Sequence, residues 1–432
     1  MTMKKTRKSK RLAEKNYRSF KELLKIIKHY FPNFNKLLSS VSDPRHKSYI
    51  TYTQEEILFF RILSYCCHFK SMREITRELN NDHVIQTSRL LFGDELEEVP
   101  HGDTINSYLE EVSIDQLRDI LREMLRELMK KKFFDGFKIN NRYYHMIIDG
   151  VETFSFKNKK IEGSIKKEHA DGPRYYTMML VAVIERDNIV IPIDFEPIEN
   201  EGLKYDKQDC EHEAAKRLMK RIKKHFKRME ICVSGDALYF SEPMLKEIKE
   251  KNWRYIITYK EGRAQSVAEY YNILEKHDDL NIFEKEEKKY DYYNGVEYRD
   301  EKVNMARLKE NDKTFWYVTD LTITDNNAKK IVEHGRKRWK IENKEFNDLK
   351  TKGYNMEHAY SYHENAVKGH FILLMIAHII MQLMEMHERN IGIFETIHKI
   401  SQRIKEALRT QPLSASDVLD ISTSFHLSRI SL

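Results

Sequence analysis

A chain of 432 residues that is 41% hydrophobic and 11% aromatic can bury a sizeable core, which excludes disorder throughout and leads us to expect two or three domains. With 75 Lys+Arg against 68 Asp+Glu the formal net charge is +7, a basic balance that suits a polyanionic partner. The cysteines Cys66, Cys67, Cys210 and Cys232 show no CxxC spacing, which excludes a secreted disulfide scaffold and points to reduced thiols inside the cell.

The excess charge is concentrated at the start. MTMKKTRKSKRLAEKNYR carries Lys4, Lys5, Arg7, Lys8, Lys10, Arg11, Lys15 and Arg18 against Glu14 alone. We read residues 1–19 as a basic arm, either a solvated tail or a segment that orders on nucleic acid. It lacks the apolar core and cleavage site of a signal peptide. Residues 20–135 have helical periodicity and are expected to form an all-α region. FKELLKIIKHYF is amphipathic, Thr53 with Glu56 makes a capping box, and Ser113 with Gln116 makes another. SMREITRELNNDHVIQTSRLL is compatible with a helix-turn-helix, although a plain bundle is the preferred reading.

Near residue 140 the period changes. YYHMIIDG, TFSF, YYTMMLVAVIE and NIVIPIDFEPI read as strands, the last two joined as a hairpin around Arg186, Asp187 and Asn188. A helix from Lys207 to Phe226 and the strand MEICVSGD complete an α/β core, expected over 140–260 and 315–390. Residues 261–314 are tyrosine- and acid-rich, with Asn294-Gly295 as a hairpin turn, and suggest an inserted β subdomain. TFWYVTDLTIT closes it, and Asp325 is the expected N-cap of the next helix. FILLMIAHIIMQLM, from Phe371, is too short to span a bilayer and reads as a helix buried on nearly all sides; 391–432 is a C-terminal helical region.

Three acids stand out. Asp149 ends MIID before a glycine, and Asp236 follows MEICVSG; the carboxyl ends of buried strands are where α/β sheets place catalytic groups. In RWKIENKEFNDLK, spacing at about 100° per residue puts Trp339, Ile341, Phe346 and Leu349 on one apolar arc with Glu342 near its centre. A carboxylate there needs a cation, which Arg338 one turn earlier offers as a simple helix pair. Three carboxylates at a sheet edge also suit a pair of Mg²⁺ ions, whose work is phosphoryl transfer; zinc is disfavoured because neither histidines nor cysteines show ligand spacing. Glu345 is a rival for the third acid. Trp339 and Trp253 are either base-stacking or core residues, and Lys207 and Asp209 lie near the site or serve only the helix terminus.

IDGVETFSF, SGDALYF and RWKIENKEFNDLKTKGYNMEHAY together resemble the DDE transposases of bacterial insertion sequences, in the insertion-sequence-four-like branch related to the Tn-five transposase. The likeness is strongest from His101 to Tyr360. It implies an RNase H-like catalytic core with a β insertion between the second and third acids, and makes Asp149, Asp236 and Glu342 the metal-holding catalytic residues. It implies two Mg²⁺ ions, with Mn²⁺ able to substitute, and water and then a 3′-hydroxyl as nucleophiles at terminal inverted repeats. The branch signature of Tyr, two residues, Arg, three residues, Glu, six residues, Lys is met by Arg338 and Glu342. Gly335 replaces its tyrosine, Leu349 occupies its lysine position, and Lys350 one residue later is a phosphate-contact candidate. Expected partners are element-end and target double-stranded DNA, contacted by Trp339 and the basic arm, with a homodimer on DNA, no membrane, and a cytoplasmic, nucleoid-associated location. The alternatives are a nuclease or resolvase of the same fold without strand transfer, and a transposase-derived DNA-binding protein without catalysis.

Overall fold

Two helix caps written in the sequence, Thr53 and Ser113, reappear at the expected places. The computed structural model of the protein describes residues 18–93, 96–157, 161, 163–198, 207–285, 288–311 and 313–423, with the side chains of 207–210, 344–345 and 423 also outside the description. Two compact units divide it, Met1–Lys131 with Leu349–Leu432, and Lys132–Asp348.

The first unit is helical. Thr53 caps the helix Gln54–Cys66 with a complete capping box to Glu56. Ser113 caps Ile114–Lys130 by accepting from the Gln116 N–H, but the Gln116 side chain pairs with Ser42 instead of returning to the cap, so that box is half formed. The apolar run lies in the helix Glu364–Asn390, whose length and hydropathy would suffice to cross a membrane. In its most apolar window 94% of residues are buried, against Gln54–Cys66, Gly102–Glu111 and Ile114–Lys130 among others. Residues 349–390, expected at the end of the catalytic core, therefore group with the helical unit, where an all-round apolar helix finds partners on every side.

The second unit is α/β around a mixed sheet. Its strands are β1 (Tyr144–Lys157), β2 (Ile165–His169), β3 (Gly172–Arg186), β4 (Ile189–Pro197), β5 (Ile231–Gly235), β6 (Arg254–Tyr259), β7 (Asn281–Lys285), β8 (Lys288–Tyr298), β9 (Glu301–Glu310) and β10 (Lys313–Thr319). The order is β2-β3-β1-β5-β6-β10-β9-β8-β7, with β4 also on β3. Among the described residues only β1 with β5 and β5 with β6 run parallel. Buried on both faces, ICVSG and RYIITY are the near-continuous apolar runs such central strands require.

The strands of residues 261–314, expected as an inserted β subdomain, continue the central sheet through β10, which pairs with β6, Val318 opposite Ile257, and with β9. An unpaired β6 edge would leave its backbone groups unsatisfied, and β10 supplies their partners. Asn294-Gly295 is a bulge inside β8, not a hairpin turn. Gly295 takes φ +86° there and the Asn294 side chain pairs with both backbone groups of Ile323, while the turn falls at Arg299-Asp300. Asp325 does not cap the helix Ala328–Lys337, which begins after Asn327; it accepts from the Tyr292 hydroxyl at 2.9 Å.

Candidate active site

Asp149 does not end a strand. Gly150 is extended, so MIIDG continues straight into VETFSF as one strand, β1. Parallel pairing with β5 stops at Ile147 opposite Ser234, while pairing with β3 continues past Asp149, which faces Val181. Asp149 therefore sits at the fork where β1 and β5 part. Asp236 ends β5 as expected and turns the chain, its Oδ1 accepting from the Leu238 N–H at 2.8 Å. A Cβ on the preceding Gly235 would lie 2.8 Å from the Tyr239 ring, so the close turn requires glycine there.

Arg338 joins two of the three acids. Its Nη1 donates to Asp149 Oδ2 at 3.1 Å and to Glu342 Oε1 at 2.5 Å. Burial pushes the Asp149 carboxyl up, Arg338 pulls it down, and the charges of Glu342 and Asp236 push it up again, leaving it at about 7. Burial also opposes the Arg338 charge, but Glu342 first, then Asp149 and Asp236, raise it above its ordinary value. All three acids thus share one electrostatic neighbourhood.

Glu342 reaches it by a route the helical wheel does not show. Residues Ile341–Phe346 form a π-helical turn, where bonding to the fifth residue rotates the succeeding side chains off the 100° wheel. Ile341, Phe346 and Leu349 are buried, yet Trp339 is 62% exposed and the Glu342 side chain 44%. The expectation of a carboxylate at the centre of a buried arc is therefore corrected, and so is a core role for Trp339. Trp253 is core, at 1% exposure.

A clamp missed from sequence holds this segment. Glu185, fully buried in β3, accepts from Lys337 and from Lys340, each at 3.0 Å, and Lys340 also donates to the Asp187 carbonyl. Burial pushes Glu185 up, but His145, Lys337 and Lys340 outweigh it and hold the carboxyl at about 2. Because burial keeps His145 below its ordinary value, the lysines supply the charge near neutral pH. The clamped lysines bracket Arg338 and Trp339.

His145, Glu185 and His334 bring ligand atoms within 4.8 Å of one another, a grouping that spacing along the chain conceals. Two ammonium groups already on Glu185 disfavour a further cation there. A second missed acid is Glu211, on the helix Lys207–His225. It accepts from the Tyr239 hydroxyl at 3.2 Å, and its Oε2 would lie 3.6 Å from a Cβ on Gly150. Arg217 and Arg221 pin this helix to β4 through Glu196 and Asp194 at 2.6 to 2.7 Å. KQDCE drew attention to Asp209, whose side chain lies outside the described residues; only its approach to Gly150 distinguishes Glu211, and that approach is tertiary.

Lys350 pairs with Glu357 at 3.1 Å. The Glu345 side chain and the arm residues Lys4, Lys5, Arg7, Lys8, Lys10 and Arg11 lie outside the described residues. Where the signature tyrosine is missing, Gly335 packs under Tyr317, whose ring carbon would be 2.2 Å from an added Cβ. Gly335→Ala is expected to lower stability by about 1 to 3 kcal/mol through overpacking, read as a lower urea midpoint at unchanged slope.

Residues 36–125 match the model described as DDE_Tnp_1-associated, and no curated protein matches the chain. Members of the matching families act on DNA, and DDE domains generally use divalent metal ions. The model for the transposase DDE domain covers residues 141–380, more than half of the sequence and all three clustered acids, so the chain belongs to the DDE transposase family.

Proposed function

We propose that the protein is a DNA transposase of the insertion-sequence-four-like branch, cutting the terminal inverted repeats of its element and joining them to target DNA. Asp149, Asp236 and Glu342 would hold two Mg²⁺ ions, with Mn²⁺ as substitute, on an RNase H-like core. The observation that carries this reading is Arg338 bridging Asp149 and Glu342, with Asp236 close enough to raise Asp149. Three hard oxygen donors served by one guanidinium leave excess negative charge in a half-buried place, the donor chemistry that suits Mg²⁺. Bound ions would supply the Lewis acidity that polarises the phosphodiester and favours the attacking and leaving oxygens.

The chain's own residues do the positioning. Asp149 is fixed by the register of β1 and Asp236 by the turn that follows β5, and Arg338 holds Glu342 against Asp149, a charge that bound ions would balance. Trp339, exposed next to Arg338, would meet a base or sugar of the bound strand. The basic arm and the helical region of residues 20–135 would bind the element ends, and two protomers would bring two ends together.

The test is a cleavage and strand-transfer assay on duplexes carrying the repeats that flank the gene, with Mg²⁺ or Mn²⁺. Parent protein is expected to cut and join, and Asp236→Asn and Glu342→Gln to bind without cutting. Cutting without joining would move the protein to the nuclease reading. Full activity in Glu342→Gln with none in Glu345→Gln would transfer the third role to Glu345.

A further inference from the structure

At the other end of the parallel strands the second unit has a basic cleft of about 700 Å³. It is built around the amino-terminal ends of β1, β5 and β6, near Tyr143, Glu230 and Arg254. Asp149 lies five residues along β1 from Tyr144, and Asp236 five beyond Ile231, which at about 3.3 Å per residue puts the cleft roughly 16 Å from the acids.

Charges in the cleft fall into two sets. Arg142 pairs with Glu230, Arg254 with Asp320 and Lys249 with Glu301. Lys223, Lys227, Arg228 and Lys302 have no ion-pair partner among the described residues. A helix C-terminus favours cations, which accounts for Lys223 in the last turn of Lys207–His225. It does not account for Lys227 and Arg228 beyond that helix, or for Lys302 arriving from β9. The lining residue Trp253 is 1% exposed and its indole N–H meets no acceptor among the described residues. Cations from separate elements, left uncompensated in one concave place, are the footprint of a phosphate backbone.

We propose that this cleft binds the backbone of double-stranded DNA at a stretch other than the phosphodiester held by the acids. The proposal rests on the reading that the protein acts on DNA. It adds a second contact surface to the catalytic unit, on the edge of the sheet away from the chemistry, so that one duplex segment is anchored while another is cut.

The experiment measures binding of a short duplex of arbitrary sequence to the full chain by fluorescence anisotropy over a salt series. Variants are Lys223→Glu/Lys227→Glu/Arg228→Glu, Lys302→Glu, and a control reversing the exposed Lys276, Lys285 and Lys289 of the same unit. The triple cleft variant is expected to bind about tenfold or more weaker, with a log–log salt slope less negative by about 2 to 3, and Lys302→Glu to lose about 1 from the slope. The control is expected to change the slope by less than either. Thermal unfolding of each variant shows that the fold is kept. Equal affinity and slope in parent and cleft variants, or an equal loss in the control, overturns the cleft as a DNA surface. A parent that binds no duplex at all overturns the DNA reading beneath it.

Discussion

Asp149→Asn is expected to abolish DNA cleavage, by on the order of 10³-fold or more, and yet to make the metal-free protein more stable at pH 8. The first effect follows if, as proposed, this carboxylate would position the ions, an interaction worth several kcal/mol in the transition state at 1.36 kcal/mol per decade. The second follows from the environment of the acid. Its folded value of about 7 lies above its ordinary 3.8, so the folded state prefers the protonated form. The resulting contribution is fully present below about pH 4 and is lost as pH rises through 7. Above pH 7 the ionised Asp149 opposes folding, on the order of 2 to 4 kcal/mol relative to a neutral side chain. Asparagine keeps the shape and removes the charge. The stability difference between variant and parent should therefore open between pH 4 and 7 and stay open above. Adding Mg²⁺ at pH 8 should raise the unfolding temperature of the parent and leave the variant nearly unmoved. Calorimetric Mg²⁺ or Mn²⁺ binding by the parent should weaken about tenfold per unit as pH falls below 7, because the ion must displace the Asp149 proton.

How much of this could be read from sequence varied with the range of the interaction. Asp236 was legible because a strand of ordinary pattern ends in an acid that then caps its own turn, all within a few residues. Asp149 was singled out as a strand-end acid, which it is not. Apolar residues followed by Asp-Gly look like a strand end, but Gly150 is extended, and the fork at Asp149 is set by where β5, some ninety residues later, stops pairing. Glu342 was singled out for its place near the centre of an apolar arc, with Arg338 one turn earlier as the cation it needs, and it keeps that ion pair. Its expected burial did not survive, since a π-turn leaves no mark on a wheel drawn at 100° per residue. Asn294-Gly295 carries the composition of a hairpin turn, and the hydrogen bonds of Asn294 to Ile323 redirect it into a bulge. Glu185 was invisible because it closes YYTMMLVAVIE beside Arg186, where an acid reads as an ordinary hairpin end, and its meaning depends on lysines about 150 positions away.

That buried acid carries the second large prediction. Glu185→Gln is expected to destabilise the protein by about 2 to 3 kcal/mol at pH 7 and to slow cleavage about 10- to 100-fold without touching DNA or metal. Held at about 2 against an ordinary 4.5, Glu185 contributes stability that is fully present above pH 4.5 and is lost as pH falls toward 2. The gap between parent and variant should close over that acidic window. The loss stays near the lower end because Lys337 and Lys340 each keep 26% exposure and can turn toward water when their anion is gone. Cleavage suffers for a different reason. The two lysines flank Arg338 in sequence, and once unclamped they no longer fix where its guanidinium meets Asp149 and Glu342, where a displacement of about 1 Å can cost 10²-fold. Glu185→Gln with Lys337→Gln and Lys340→Gln separates the two effects. Removing the orphaned charges should return part of the lost stability, while cleavage stays slow because the segment is still untethered. If activity recovers along with stability in that triple variant, Glu185 serves only to neutralise the lysines, and the position of Glu342 must be set by the π-turn and its buried Ile341 and Phe346 alone.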